Sequence, residues 1–331
     1  MQHVPQHSGA RLSVSVIVPT RNVEGTIRLC LQSLLAESPD NDVEIIVVDN
    51  GSKDATVEIV RGFPVTLIEV PSAFVSRSRN IGAAAARKDI LAFVDSDCTV
   101  LPGWVDAIRD SFRELDVGAA GARHLLRDNP TWVERAWYQR RNWQTSDTIR
   151  DVDYVPAGNL AVRRDIFASL GGFDESLETG EDPDLCKRIA TRGLRIIENP
   201  GMRCVHLGEP QSLSEVFRRE RWHGRGLRVR YGDGRLAPIA ISTVVFLLTL
   251  FVSLSAPAVA AFRSESWPLY LCGTALTVPT LYAARYASPR RPFHFCLLLV
   301  VYLAYFAGRA AALPVVATRS FASRADARRR T

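Results

Sequence analysis

Residues 90–100, ILAFVDSDCTV, decide how the fold is read. The run Ile90 to Val94 has the length and apolar content of a buried strand, and it leads straight into Asp95-Ser96-Asp97. Two carboxylates two positions apart at such a strand end repel one another unless positive charge lies between them. Hard oxygen ligands of this kind hold Mg2+ or Mn2+ when substrate phosphates complete the shell. A turn with solvated carboxylates is the alternative.

Upstream, VSVIVPT (14–20), VEIIVVDN (43–50) and VTLIEV (65–70) read as further strands. Between them lie helical patterns over 24–36, 54–63 (DATVEIVRGF) and 76–88 (SRSRNIGAAAARK). PGWVDAIRDSFREL (102–115) reads as a helix with Pro102 near its first turn. Such alternation predicts an α/β fold of right-handed βαβ units, with a parallel sheet covered on both faces. These sheets bind ligands at the carboxyl ends of their strands. There stand Pro19-Thr20-Arg21-Asn22, Asp49-Asn50-Gly51-Ser52 and Asp95-Ser96-Asp97. No GxGxxG follows the first strand, which removes the main support for a dinucleotide-binding oxidoreductase, and a nucleotidyltransferase would need a Gly-rich basic loop there.

Bulk properties narrow the class. Of 331 residues, 47% are hydrophobic, and the net charge of +6 comes mostly from arginine, with lysine only at Lys53, Lys88 and Lys187. Codon bias explains that, as do arginines facing phosphates or an anionic membrane surface. No nucleic-acid-binding signature is present, so no nucleic-acid partner is expected. Six cysteines without a CxxC pair or zinc spacing suggest reduced, packed thiols in the cytosol. The first twenty residues lack the pattern of a signal peptide.

SVIVPTRN, EIIVVDNGSKDAT, SRNIGAAAA, ILAFVDSDCTVLPGW, AGNLAVRRDIFASLGGFDESLETGEDPDLCKRIATRG and RRERW occur here in the order found in family 2 glycosyltransferases. Over about Ser13 to Gly226 the chain resembles that family. The resemblance implies a GT-A fold, a nucleotide-diphosphate sugar donor, a divalent cation (Mn2+ or Mg2+) and inversion at the anomeric carbon. It places Thr20 and Asn22 near the nucleotide with Pro19 shaping the turn, Asp49 on the base or ribose, and Arg79 toward the nucleotide and its phosphates. Asp95 would face ribose and metal, and Asp97 would ligate the metal directly. Turn-forming side chains and a helix-surface arginine are the plainer readings.

In the second half, Gly158 and Asn159 match the segment lining the acceptor side. Asp182 precedes Pro183 and an amphipathic run, so it could serve as a helix N-cap. The resemblance makes it the catalytic base, with Glu181 positioning the acceptor or tuning that base. His206 is a candidate metal ligand or a structural hydrogen-bonder. Arg218, Arg221 and Trp222 match the element near acceptor and diphosphate; an arginine at 218, where the processive synthases carry glutamine, puts processivity in doubt. TWVERAWYQRRNWQ (131–144) could stack on sugar, lie on a membrane or simply pack.

The apolar stretch 238–262 carries no charge and is long enough to span a bilayer; 293–317 is a second candidate and 267–287 a weaker one. The expected layout is therefore a tail (1–12), a nucleotide-sugar half (13–122), an acceptor half (123–235), two or three transmembrane helices (236–318) and a basic tail (319–331). The expected function is transfer of a sugar to a glycan or lipid-linked acceptor hydroxyl at the cytosolic face of a bacterial plasma membrane, as in exopolysaccharide glycosyltransferases of the succinoglycan type, which the layout resembles. Transfer to a polyprenyl phosphate, or a non-catalytic scaffold, are the alternatives.

Overall fold

The computed structural model describes residues 11–38, 42–71, 74–142, 147–224, 238–288 and 293–312. In chain order the first elements are β1 (Val14–Thr20), α1 (Ile27–Ala36), β2 (Val43–Asp49), α2 (Thr56–Arg61), β3 (Thr66–Glu69), α3 (Val75–Ala85) and β4 (Ile90–Val94). Next come β5 (Cys98–Val100), α4 (Trp104–Ser111), β6 (Val117–Gly121), β7 (Leu125–Leu126), α5 (Trp132–Asn142), β8 (Arg150–Asp151), β9 (Asn159–Arg163) and α6 (Arg164–Ser169). The remainder comprises α7 (Glu181–Ala190), β10 (Arg195–Glu198), β11 (Cys204–His206), α8 (Leu213–His223), α9 (Pro238–Arg263), a 3₁₀ helix (Trp267–Leu276), α10 (Thr277–Tyr286) and α11 (His294–Ala310). The elements fall into two compact units. One holds residues up to Arg127 together with Gln144–Gly208, and the other holds Asp128–Trp143 together with everything from Glu209 onward.

The first unit is built on an eight-stranded sheet in the order β3-β2-β1-β4-β9-β6-β10-β8. β3, β2, β1 and β4 are mutually parallel, as the alternating pattern predicts. Period-two alternation of side chains explains why both faces are apolar. Val14, Val16, Val18, Ile90, Ala92 and Val94 enter one core with α1 and α4, whereas Ile17, Leu91 and Phe93 enter the other with α6 and α7.

The sheet as a whole is not parallel. β9 runs antiparallel between β4 and β6, and β8 is antiparallel to β10. Strand β9 is buried on both faces, so it reads as the same apolar run in either direction and its sense leaves no mark in the hydrophobic pattern. A second, three-stranded sheet, β5-β11-β7, stands at the end of β4.

In the second unit, α5 starts at a capping box. The Glu134 amide donates to Thr131 Oγ1 (3.2 Å), and Glu134 Oε2 accepts from the Thr131 amide (2.7 Å). Trp137 is buried, with its ring 6.3 Å from that of Tyr305, while Trp132 is exposed. Packing therefore accounts for Trp137; Trp143 lies outside the described residues.

Helix α11 approaches α8 closely at Gly308, where a Cβ would collide with the Phe217 carbonyl. The buried Glu220 accepts from Arg309 at 2.5 Å. Among the described residues, only α9 is long and apolar enough to cross a membrane, by length and composition. The expected span at 267–287 is not one helix, since a 3₁₀ segment with Pro268 at its start hands over to α10. The expected span at 293–317 is helical over His294–Ala310, and its last residues lie outside the described ones.

Gly121 of β6 marks where the sheet has no room. A Cβ there would collide with the Asn159 carbonyl and press on Val155. Replacing Gly121 with Ala is expected to lower unfolding free energy by about 1–3 kcal/mol, read as a shifted denaturant midpoint for the first unit's tryptophan signal.

Candidate active site

The site is assembled where β1, β2 and β4 end. Parallel pairing puts Thr20 beside Asp49, and the loops beyond them are laced together. The Ser52 amide donates to Asp49 Oδ2 (3.0 Å), the Asn22 amide to Ser52 Oγ (2.9 Å), and the Lys53 amide to Asn22 Oδ1 (2.8 Å). Asn22 takes a left-handed backbone (φ 50), which asparagine tolerates better than most residues. The second oxygen of Asp49 is buried with no hydrogen-bond partner among the described residues, so this carboxylate retains an acceptor. Thr20 is buried, and its hydroxyl turns back onto the Val18 carbonyl (3.2 Å). Pro19 is buried within β1 opposite Val48.

At the end of β4 the Cys98 amide donates to the Asp95 carbonyl (3.0 Å), turning the chain into β5. Positive charge meets the first of the two carboxylates, Asp95. Buried Arg79, from α3, donates through Nη2 to Asp95 Oδ1 (2.9 Å) and through Nη1 to Glu181 Oε1 (2.6 Å). Its guanidinium also lies 5.6 Å from the centre of the Phe173 ring. A bidentate planar cation suits two carboxylates from different elements, and its own pKa rises because their attraction outweighs its burial. Burial pushes the Asp95 carboxyl up, but Arg79, His124 and His206 overcome it and hold the group below its ordinary value.

Asp97 faces His206, with Oδ1 3.4 Å from Nε2. Two glycines make room for the carboxylates. A Cβ at Gly158 would collide with Asp95 and one at Gly208 with Asp97. Asp97, Cys98 and His206 bring one donor atom each to within 4.8 Å of one another. The donor set fits a divalent cation. Asp95, Glu181 and Asp182 gather around one arginine, and Asp97 stands two residues beyond Asp95 against His206, so carboxylates outnumber the cation at this strand end. Asp97 and His206 would hold such an ion, with Asp95 beside them.

Glu181 and Asp182 open α7. The helix begins two residues earlier than an Asp182 cap requires, since Gly180, at φ 87, is the N-cap and carries no side chain to cap with. Asp182 instead lies in the first turn with Oδ2 accepting from the Ala157 amide (3.4 Å). Burial, then the charge of Glu181, pushes its carboxyl up to about 7 against the pull of Arg79.

Asn159 contributes differently from what the sequence suggests. It is fully buried, donates to the Ala122 (3.2 Å) and Met202 (2.7 Å) carbonyls and accepts from Trp104 Nε1 (2.9 Å). Its amide is spent clamping strands, and the backbone at Gly158 is what reaches Asp95. Arg218, Arg221 and Trp222 are exposed on α8 in the second unit. That helix is capped by Ser212, whose hydroxyl accepts from the Glu215 amide.

One participant was not foreseen. The His124 ring lies 4.9 Å from that of His206, and its Nε2 points to the same gap beside Gly158 that Asp95 fills. The Ala-Arg-His-Leu context carries no motif, so only the three-dimensional neighbourhood reveals it.

Residues 15–171 match the family model described as Glycosyl transferase family 2. The match covers a little under half of the chain, and the mixed α/β sheet with helices on both faces is consistent with a GT-A fold. Over 263 residues the chain is 27% identical to a pre-mycofactocin glycosyltransferase of Mycobacterium tuberculosis, covering 76% of this chain and 54% of that one. The chain thus spans about half the length of that relative. Over 222 residues it is 28% identical to glycosyltransferase AglE of Haloferax volcanii, covering 64% of this chain and 72% of that one. In fold it resembles the mannosyltransferase PcManGT from Pyrobaculum calidifontis, solved in complex with GDP-Man and Mn2+, with a TM-score of 0.57, 21% identity, and 93% and 88% of the two chains covered.

The raised Asp182 carboxyl has a thermodynamic signature. Its folded pKa near 7 exceeds the 3.8 of a free aspartate, so the native state keeps a proton that the unfolded chain releases between those values. Ionised Asp182 thus costs stability, increasingly as pH rises from 4 to 7 and fully above that. Asp182→Asn should melt higher than the parent at pH 8, with the gain vanishing at pH 4 in paired thermal scans.

Proposed function

We propose that this chain is an inverting, metal-dependent glycosyltransferase. It moves a sugar from a nucleotide-diphosphate donor to a hydroxyl of a glycan or lipid-linked acceptor. The observation that carries this reading is the opposite tuning of two neighbouring carboxyls. Asp95, paired to Arg79, is held low, whereas Asp182 is pushed up to about 7. A carboxylate kept ionised serves cation and ribose; one near neutrality is poised to take a proton.

Asp182 accepts the proton of the acceptor hydroxyl as that oxygen bonds to the anomeric carbon, and the bond from that carbon to the diphosphate oxygen breaks on the opposite face. Glu181, held by Arg79, stands beside the base and helps to raise its proton affinity. A divalent cation, Mn2+ or Mg2+, supplies charge neutralisation for the departing diphosphate when bound. Asp97 and His206 hold it. Asp49 offers its open acceptor to the nucleotide, and Thr20 and Asn22 shape that pocket with Pro19. Gly158 and the backbone at Asn159 border the acceptor. Arg218 and Arg221 offer cations to the diphosphate, and Trp222 a flat ring to a sugar.

Ile241, Leu248, Phe251, Leu254 and Phe262 are exposed along α9, which carries no charge before its last residue, Arg263. This supports membrane attachment; the reading we adopt with it puts the catalytic residues on the cytosolic side of a bacterial plasma membrane and makes the product an exopolysaccharide or envelope glycan.

The test is a panel of nucleotide-diphosphate sugars with Mn2+ and glycan or lipid-linked acceptors, followed by product release. Asp182→Asn should reduce turnover by about 10²–10⁴-fold while donor affinity, measured by calorimetry, changes little. Chelation should abolish turnover. Full transfer by the variant overturns the base assignment, and undiminished turnover in chelator overturns the metal requirement.

A further inference from the structure

The sheet β5-β11-β7 is held by very little backbone. β11 pairs with β5 over three register positions and with β7 over two. Ladders this short are marginal unless something else fastens them. Each of the three strands nevertheless supplies one soft donor at its start. Cys98 is the first residue of β5, Cys204 is the first of β11, and His124 immediately precedes β7. The two thiol sulfurs and an imidazole nitrogen lie within 4.8 Å of one another, and all three residues are buried.

We propose that Cys98, His124 and Cys204 bind one thiophilic dication of the Zn2+ class, which clasps this sheet. Zn2+ bonds to thiolate at about 2.3 Å and to imidazole at about 2.0–2.1 Å, so the donors need to close in by only about 1 Å. Two sulfurs and one nitrogen form a soft set that discriminates against Mg2+ and Mn2+, whose sites are built from oxygen. A dication with two thiolates is neutral, so the buried complex leaves no unbalanced charge. Binding releases the two thiol protons to solvent.

The position gives the ion a role distinct from chemistry on the sugar. Cys98 follows Asp97 directly, and His206 is the register partner of Cys98 two residues beyond Cys204. A clasp on these strands fixes the Asp97–His206 pair while leaving those two side chains to the oxygen-binding cation. It is a structural ion behind a catalytic one, and it does not depend on the identity of the sugar or acceptor.

The full chain, reduced and stripped with chelator, is titrated with Co2+. One equivalent should bind with the intense near-ultraviolet absorption of thiolate–cobalt charge transfer, and Zn2+ should displace it. Cys98→Ser and Cys204→Ser should each weaken binding at least about tenfold. Cys30→Ser, buried nearby but outside the set, and His206→Ala should retain it. Absence of the thiolate band in the folded parent overturns the proposal without recourse to any variant. So does a band that survives both serine substitutions or disappears in His206→Ala.

Discussion

The Arg79 guanidinium is the interaction on which the rest of the first unit depends. It reaches from α3 to the carboxylate ending β4 and to the carboxylate opening α7, two elements far apart in the chain. Removing one partner from a buried pair of this kind costs about 3–5 kcal/mol, because a charge is left in a low-dielectric interior. Arg79 also joins stability to chemistry. It lowers the Asp95 carboxyl and opposes the rise of Asp182, so one cation acts on both carboxyls.

Around that cation the protein accumulates negative charge that it does not neutralise itself. Glycine at 158 and 208 admits the carboxylates where any side chain would displace them. Excess charge at a protected strand end is unfavourable for folding and favourable for capturing a metal–diphosphate complex. That trade-off is common at functional sites.

Much of this was legible in the sequence. β1, β2 and β4 announce themselves as β-branched runs, and their polar ends locate the cleft, because burial on both faces leaves an apolar run and the ligand edge leaves polar residues. Asp95, Asp97 and Asp182 could be named from motif order. The antiparallel sense of β9 could not, because a fully buried strand has no directional pattern. Asn159 looked like a ligand-facing polar residue and is a buried clamp, since an amide satisfied by Ala122, Met202 and Trp104 looks no different in sequence from one facing solvent. His124 lies outside any motif. Over 267–287, where the sequence offers only a weaker span, hydropathy does not register that the first ten residues wind as a 3₁₀ helix before α10 begins.

In the second unit, the contact of α8 with α11 ties together segments some ninety residues apart. Glu220 is almost wholly buried and has its counter-charge in Arg309, and the Gly308 backbone lies against the Phe217 carbonyl. The helix carrying Arg221 and Trp222 is therefore not a module that can be cut away from the apolar helices following it. A chimera or truncation ending before 293 would strand the Glu220 carboxylate in an apolar interior. For this chain, exchange of the C-terminal segment has to be done in matched pairs, α8 with α11.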